Sequence, residues 1–103
     1  MVQTRSMSDD VVRNEDRFRF EVTVDGETAF LTFHRNGKRF TLIHTEVPES
    51  LEGRGIGSKI VRAALEYARA NDLTVVPRCP FVQAFLENHP DEAEGLSIDA
   101  PTT

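Results

Sequence analysis

Residues 47–60 read VPESLEGRGIGSKI, a glycine-rich loop that runs into a segment whose apolar residues recur about four positions apart. Pro48 cannot donate a hydrogen bond to a β-ladder, so a strand should end before it. The apolar recurrence after Gly57 is typical of an amphipathic helix. The stretch therefore predicts a strand, a tight loop and a helix in direct succession.

Three antiparallel strands joined by two tight turns are predicted up to this loop. They cover residues 18–24, 28–34 and 40–47, and the first two alternate apolar and polar residues, the period of half-buried strands. Asp25-Gly26 and Asn36-Gly37 separate them. Such dipeptides favour two-residue hairpin turns, because glycine adopts positive φ without strain. We therefore expect an antiparallel meander.

Beyond the loop, the long helix should end at Asn71-Asp72. A short β-branched strand over 73–76 and a brief helix over 81–88 should follow. The predicted fold class is therefore α/β, more narrowly α+β. It comprises a mostly antiparallel sheet of at least four strands, a long central helix and a short C-terminal helix.

Composition predicts one compact domain with two loose ends. Residues 1–16 are polar and aperiodic, which predicts a flexible N-terminal arm. Residues 17–90 hold the periodic segments and are predicted to form the compact domain. Residues 91–103 are small, acidic and interrupted by proline, which predicts a flexible tail.

The glycine loop and the helix after it combine two features that bind anions. Glycines let backbone N–H groups approach a phosphate without an intervening side chain, and a helix N-terminus presents unpaired N–H groups with partial positive charge. Arg54, Ser58 and Lys59 add further donors. The spacing matches neither the Walker pattern nor the G-x-G-x-x-G dinucleotide fingerprint. A turn that only closes a strand-to-helix connection is the alternative interpretation.

Two segments around the loop resemble the GCN5-related N-acetyltransferases (GNAT), and most closely their small single-domain subgroup. Residues 44–48 followed by 53–58 are similar to the acetyl-CoA-binding segment of that superfamily, and 76–82 resemble its next strand-to-helix junction. The likeness covers roughly residues 18–90. There are two departures: Glu52 stands where the family has Gln or Arg, and the chain lacks the two N-terminal helices with which larger members hold the acceptor.

The resemblance implies an acetyl-CoA-dependent N-acetyltransferase. Its amine acceptor is not identified, and the acetyl group would pass to it by direct attack in a ternary complex. A non-catalytic acyl-CoA-binding or protein-interaction module, and an anion-binding regulatory domain for nucleotides, are the alternatives. In the family, backbone amides of the loop hold the CoA pyrophosphate. The cofactor-binding residues implied here are Val47, Arg54, Gly55, Ile56, Gly57, Ser58 and Lys59.

Three residues are candidates for chemistry next to the thioester. His44 and Glu46 lie two apart on one strand and so share a face, where either could accept the proton of an ammonium. The alternative is that His44 caps the sheet edge and Glu46 pairs with an arginine. Cys79 immediately precedes a helix N-terminus, a position that predicts a reactive thiol able to donate a proton or accept an acyl group; the alternative is a small buried apolar residue. Tyr67 is expected to pack in the core.

The net charge of −5 is distributed unevenly. Residues 1–78 carry 12 acidic and 12 basic side chains, so the whole excess lies in the last 25 residues. Arg54, Lys59 and Arg62 surround the glycine loop, and we expect two of these three to help bind the phosphates of CoA. The acidic tail would more readily attract a cationic acceptor.

Composition also limits the partners. An acidic chain argues against a general nucleic-acid binder, and no apolar run approaches the ~18 residues of a membrane span. A single cysteine excludes an intrachain disulfide, and three scattered histidines do not predict a metal site. We expect a cytoplasmic protein whose partners are acetyl-CoA and an amine, without a metal, nucleic acid or membrane.

Overall fold

The computed structural model describes residues 11–99, so the outer parts of the predicted arm and tail, residues 1–10 and 100–103, lie outside the described residues. The described part contains six strands and two α-helices. The strands are β1 (Val12–Asn14), β2 (Arg19–Val24), β3 (Glu27–Asn36), β4 (Arg39–Glu46), β5 (Thr74–Pro77) and β6 (Ser97–Ile98). The helices are α1 (Ile56–Ala70) and α2 (Pro80–Asn88), with short 3-10 helices at Glu49–Leu51 and Pro90–Ala93.

All six strands form one sheet in the order β1-β2-β3-β4-β5-β6. The pairs from β1 to β4 are antiparallel, whereas β4 with β5 and β5 with β6 are parallel. The parallel steps pass through α1 and α2, and right-handed crossovers in one direction place both helices on the same face of the sheet. The predicted fold class, a mostly antiparallel sheet of at least four strands with one long and one short helix, is confirmed.

Both hairpins form at the predicted glycine dipeptides, but the second turn is shifted by one residue. Asp25 and Gly26 fill the β2–β3 turn with φ of 52° and 81°, the positive pair that a type I′ turn requires. In the second hairpin Asn36 pairs with Arg39, so the turn itself is Gly37-Lys38, one residue later than expected. Local turn chemistry therefore sets the register of the meander.

The hydrophobic core lies between the sheet and the two helices. Phe20, Leu31 and Phe40 contribute from the strands, and Ile60 and Val82 from α1 and α2, in a single buried cluster. Each large apolar side chain removed from water in this way contributes ~1.5–3 kcal/mol to folding. No helix within residues 11–99 is long and apolar enough to span a bilayer.

The sheet extends beyond the predicted domain limits of 17–90 at both ends. β1 pairs with β2, and β6 with β5. The Asp99 N–H donates to the Val75 carbonyl over 2.8 Å, and the Asp99 carboxylate accepts from Arg39. Strands of three and two residues are too short to show a period, so their pairing depends on long-range contacts that composition does not reveal.

Candidate functional site

A β-bulge in β4 determines which side chains face the helices. Thr32 of β3 pairs with His44 and Phe33 pairs with Leu42, so Ile43 is an extra residue without a partner on β3. Side chains alternate along a strand, so one inserted residue reverses the faces of everything that follows. Ile43 is accordingly 45% exposed although it lies in the middle of a sheet.

The residues after the bulge therefore divide between the two faces. Thr45 pairs with Leu31, which is part of the core, and so it faces the helices. His44 and Glu46 pair with Thr32 and Phe30, whose neighbours on β3 fill the core, and so they lie on the opposite face. We call this opposite side the outer face.

β4 and β5 separate at the bulge. Their pairing ends with Leu42 opposite Pro77. The N–H groups of Arg78 and Cys79 both donate to the Leu42 carbonyl, each over 3.0 Å, as the chain leaves β5 for α2. The β4 segment 43–46 thus has no strand on its β5 side, and backbone groups on that edge are available to a ligand.

The glycine loop ends in a left-handed residue that starts the long helix. Gly55 is the N-cap of α1 with φ of 75°, and no side chain caps the helix. The first helical hydrogen bond runs from the Lys59 N–H to the Gly55 carbonyl over 3.1 Å. The amides of Ile56, Gly57 and Ser58 precede it and have no intrahelical acceptor, which is the geometry of an anion site.

Gly57 has a different role from Gly55. It has ordinary helical backbone, but a β-carbon there would lie 2.7 Å from Cζ of Phe81. Phe81 belongs to the first turn of α2 and is 41% exposed. The missing side chain thus lets the N-terminal ends of α1 and α2 approach each other across one aromatic ring.

One cavity of about 430 Å³ joins the loop to the separated edge of β4. Its volume lies within the range of small-molecule sites, ~300–1,000 Å³. Its lining includes residues of the first turn of α1 and residues at the end of β4. The lining residues are Thr45, Val47, Leu51, Glu52, Gly53, Gly55, Ile56, Gly57, Ser58 and Phe81.

The structure places most of the predicted cofactor-binding residues together at this cavity. Five of the seven line it: Val47, Gly55, Ile56, Gly57 and Ser58. Arg54 is exposed in the loop between two lining glycines, and Lys59 is half-buried in the first turn of α1, but neither belongs to the lining. Their role in binding remains a prediction.

Cys79 lies behind the cavity. Its side chain is 2% exposed, and its Sγ lies 3.1 Å from the Thr45 Oγ1. Thr45 lines the cavity whereas Cys79 does not. The thiol is therefore buried outside the lining and is hydrogen-bonded to a residue of the lining, which disfavours the prediction that it accepts an acyl group directly.

His44 and Glu46 form a pair on the outer face, as the spacing predicts. The His44 Nε2 and Glu46 Oε1 are 3.2 Å apart, and the side chains are 59% and 61% exposed. The His44 ring packs edge-on to Phe30, with ring centroids 6.4 Å apart. Because Thr45 faces the cavity between them, the pair and the cavity lie on opposite sides of the same short stretch of β4.

Other predicted contributors lie away from the cavity. Tyr67 packs on Phe20 and Phe40, and its hydroxyl accepts a 2.7 Å hydrogen bond from Arg35, so the expectation of a packing role is confirmed. Arg62, one of the three expected phosphate ligands, instead pairs with Glu92 over 2.8 Å. Among residues 11–99, no group of three His, Cys, Asp or Glu side chains could hold a metal ion.

Five lining residues are absent from the predicted set: Thr45, Leu51, Glu52, Gly53 and Phe81. Thr45 alternates with His44 and Glu46, and its orientation depends on the bulge at Ile43, for which the sequence gives no local signal. Phe81 stands out only as an aromatic residue after Pro80. Its contact with Gly57 joins two helices that are separate in the sequence.

Comparisons with known proteins agree with this architecture. The family model of the GCN5-related N-acetyltransferases matches residues 19–95. Protein NATD1 from Bos taurus is 35% identical over 83 residues, covering 78% of this chain and 74% of the relative. Protein NATD1 from Mus musculus is 34% identical over 83 residues, covering 78% and 76%.

A solved structure shows the same fold. The NMR solution structure of a GCN5-like protein from Staphylococcus aureus superposes with a TM-score of 0.68 and 24% sequence identity. The match covers 89% of both chains.

Proposed function

This chain belongs to the GCN5-related N-acetyltransferase family, and we propose that it transfers the acetyl group of acetyl-CoA to an amine. The observation that carries the proposal is the cavity described above. It links a set of unpaired helix amides to a strand edge that has no partner. A ligand with a phosphate at one end and an amide-containing arm needs both features.

The residues of the cavity fit such a ligand. The amides of Ile56, Gly57 and Ser58 would hold the pyrophosphate of CoA, and the positive φ of Gly55 turns the chain so that they point to one side. The exposed Arg54 guanidinium would add a charge-assisted contact. Backbone groups of β4 residues 43–46 would pair with the amides of the pantetheine arm. When bound, acetyl-CoA supplies a thioester whose carbonyl carbon an amine can attack.

The proposed acceptor side is the outer face. His44 and Glu46 lie there, on the strand that would hold the arm, and either one can take the proton that the attacking ammonium must lose. Their exposure leaves room for an acceptor carried on a larger molecule.

Two measurements test this function. Titration calorimetry with CoA and acetyl-CoA tests the cavity, and we expect binding that ADP alone reproduces only weakly, because ADP lacks the arm. A thiol-release assay with acetyl-CoA and a panel of amines and lysine peptides tests transfer. Absence of binding at millimolar CoA would refute the proposal.

A non-catalytic acyl-CoA-binding module is the second candidate. The burial of Cys79 favours it, because this residue was the candidate proton donor and is 2% exposed. This candidate predicts tight binding of acetyl-CoA without thiol release for any amine in the panel. Amine-dependent release would exclude it.

A further inference from the structure

Of the residues that line the cavity, three have polar side chains: Thr45, Glu52 and Ser58. Glu52 lies in the glycine loop and Ser58 in the first turn of α1, both at the end proposed for the phosphates. Thr45 lies at the other end, on the strand edge beyond the separation of β4 and β5. It is therefore the polar side chain of the lining at the end where the thioester would lie.

The position of the Thr45 hydroxyl is set from behind by Cys79. The two atoms, Oγ1 and Sγ, are 3.1 Å apart, and the thiol is enclosed by the core. A hydroxyl has one donor and two acceptor sites, and a thiol is a weak donor as well as a weak acceptor. When the Cys79 S–H donates to Thr45, the Thr45 O–H is left to donate into the cavity.

We infer that Thr45 is a catalytic residue whose hydroxyl donates a hydrogen bond to the sulfur of CoA, and that Cys79 is a positioning residue acting through it. The inference rests on the proposed function. In the transfer, the amine nitrogen forms a bond to the carbonyl carbon and loses a proton to His44 or Glu46. The C–S bond breaks, and its electron pair passes to sulfur. Thr45 stabilises that charge and keeps its own proton, and the released thiolate is protonated by water.

This assignment differs from a covalent role for Cys79. An acyl-cysteine intermediate would require the Cys79 sulfur to reach the thioester past the Thr45 side chain. The hydrogen-bond role requires only two features of the structure: the Thr45 hydroxyl lines the cavity, and the Cys79 thiol orients it. It therefore predicts no acetyl adduct on the protein.

The test compares CoA with desulfo-CoA, which lacks the sulfur, by titration calorimetry at about pH 9, where thiols ionise. We expect the wild-type protein to bind CoA more tightly than desulfo-CoA. In Thr45→Val the ratio of the two Kd values should fall about tenfold, the scale of a hydrogen bond to a charged group. Thr45→Ser should retain the preference. Thr23→Val, the same change at an exposed position of β2, is the matched control. An undiminished preference in Thr45→Val overturns the inference.

The positioning role has its own readouts. Cys79→Ala should lower the preference for CoA over desulfo-CoA, and Cys79→Ser, which keeps a donor, should restore it. Where an amine supports turnover, Thr45→Val should lower kcat about tenfold with the KM for acetyl-CoA unchanged. An acetyl adduct found by intact mass spectrometry, or full discrimination in Cys79→Ala, overturns this role.

The outcomes separate the two proposals. A wild-type protein that binds neither CoA nor desulfo-CoA refutes the proposed function and the inference together. Binding of both with equal affinity by the wild type refutes the inference and leaves the proposed cavity standing. Thermal melting of each variant establishes that a loss of preference is not a loss of fold, and Thr45→Ser provides a second check if Thr45→Val does not fold.

Discussion

The ring of Phe81 lies against Gly57 so closely that a β-carbon at position 57 would come within 2.7 Å of its Cζ. The contact joins the first turns of α1 and α2. The ring also lines the cavity and is partly exposed, so it can move, but only by changing the shape of the proposed binding site.

We therefore expect Gly57→Ala to weaken CoA binding more than it weakens the fold. Displacement of the ring should raise the Kd for CoA about tenfold, equivalent to ~1.4 kcal/mol, while the melting temperature changes little. Phe81→Leu replaces the ring with a smaller side chain. Adding Gly57→Ala to this variant should then change the Kd for CoA very little, a coupling that a double-mutant cycle measures. Additive effects of the two changes would contradict this account.

The left-handed backbone of Gly55 predicts an effect on stability. Its φ of 75° is unfavourable for residues with a β-carbon, most of all for β-branched ones. Gly55→Val should lower the free energy of unfolding by ~1–2 kcal/mol, or roughly 4–8 °C in melting temperature for each kcal/mol. Asparagine tolerates this conformation, so Gly55→Asn is the control and should retain most of the stability. Equal losses in the two variants would show that backbone strain is not the cause.

The outer-face pair predicts an effect on turnover without an effect on cofactor binding. Glu46→Gln and His44→Gln should each lower kcat, by about a hundredfold for whichever is the base. The Kd for CoA should stay constant, because both side chains face away from the cavity. His34 lies on the neighbouring strand β3, so His34→Gln serves as the control. A large change in the Kd for CoA would show that His44 and Glu46 take part in cofactor binding, which contradicts this assignment.

Two arginines near the loop should differ in their effect on binding. Within residues 11–99, Arg54 forms no ion pair, whereas Arg62 pairs with Glu92 and lies over the Phe85 ring. Arg54→Gln should weaken CoA binding up to about fivefold, an effect that salt reduces. Arg62→Gln should leave the affinity unchanged and cost a few tenths to ~1 kcal/mol of stability. Calorimetry at low and high salt measures the Kd for CoA of both variants. A larger loss of affinity in Arg62→Gln than in Arg54→Gln would contradict the assignment.

The sequence predicts the meander and the central helix because their signals are local. Asp25-Gly26 specifies a turn within four residues, and the apolar recurrence after Gly57 specifies a helix without reference to other segments. The same holds for the glycine loop, because a helix that begins directly after it must have unpaired N–H groups in its first turn. These features place five of the seven predicted cofactor residues around one cavity.

The rest depends on contacts between distant segments. The spacing of His44 and Glu46 correctly predicts a shared face, but which face they take depends on one unpaired residue, Ile43. The ion pairs of Glu92 with Arg62 and of Asp99 with Arg39 likewise link the acidic tail to the body of the domain. These four charged groups therefore neutralise one another in pairs, which the net charge along the chain does not reveal.

The bulge at Ile43 also has a consequence for kinetics. It directs Thr45 toward the cavity and His44 and Glu46 toward the outer face. In the proposed reaction the cofactor and the amine then reach β4 from opposite directions, and neither obstructs the path of the other. We therefore expect the two substrates to bind in random order, which initial-rate kinetics with both concentrations varied would show.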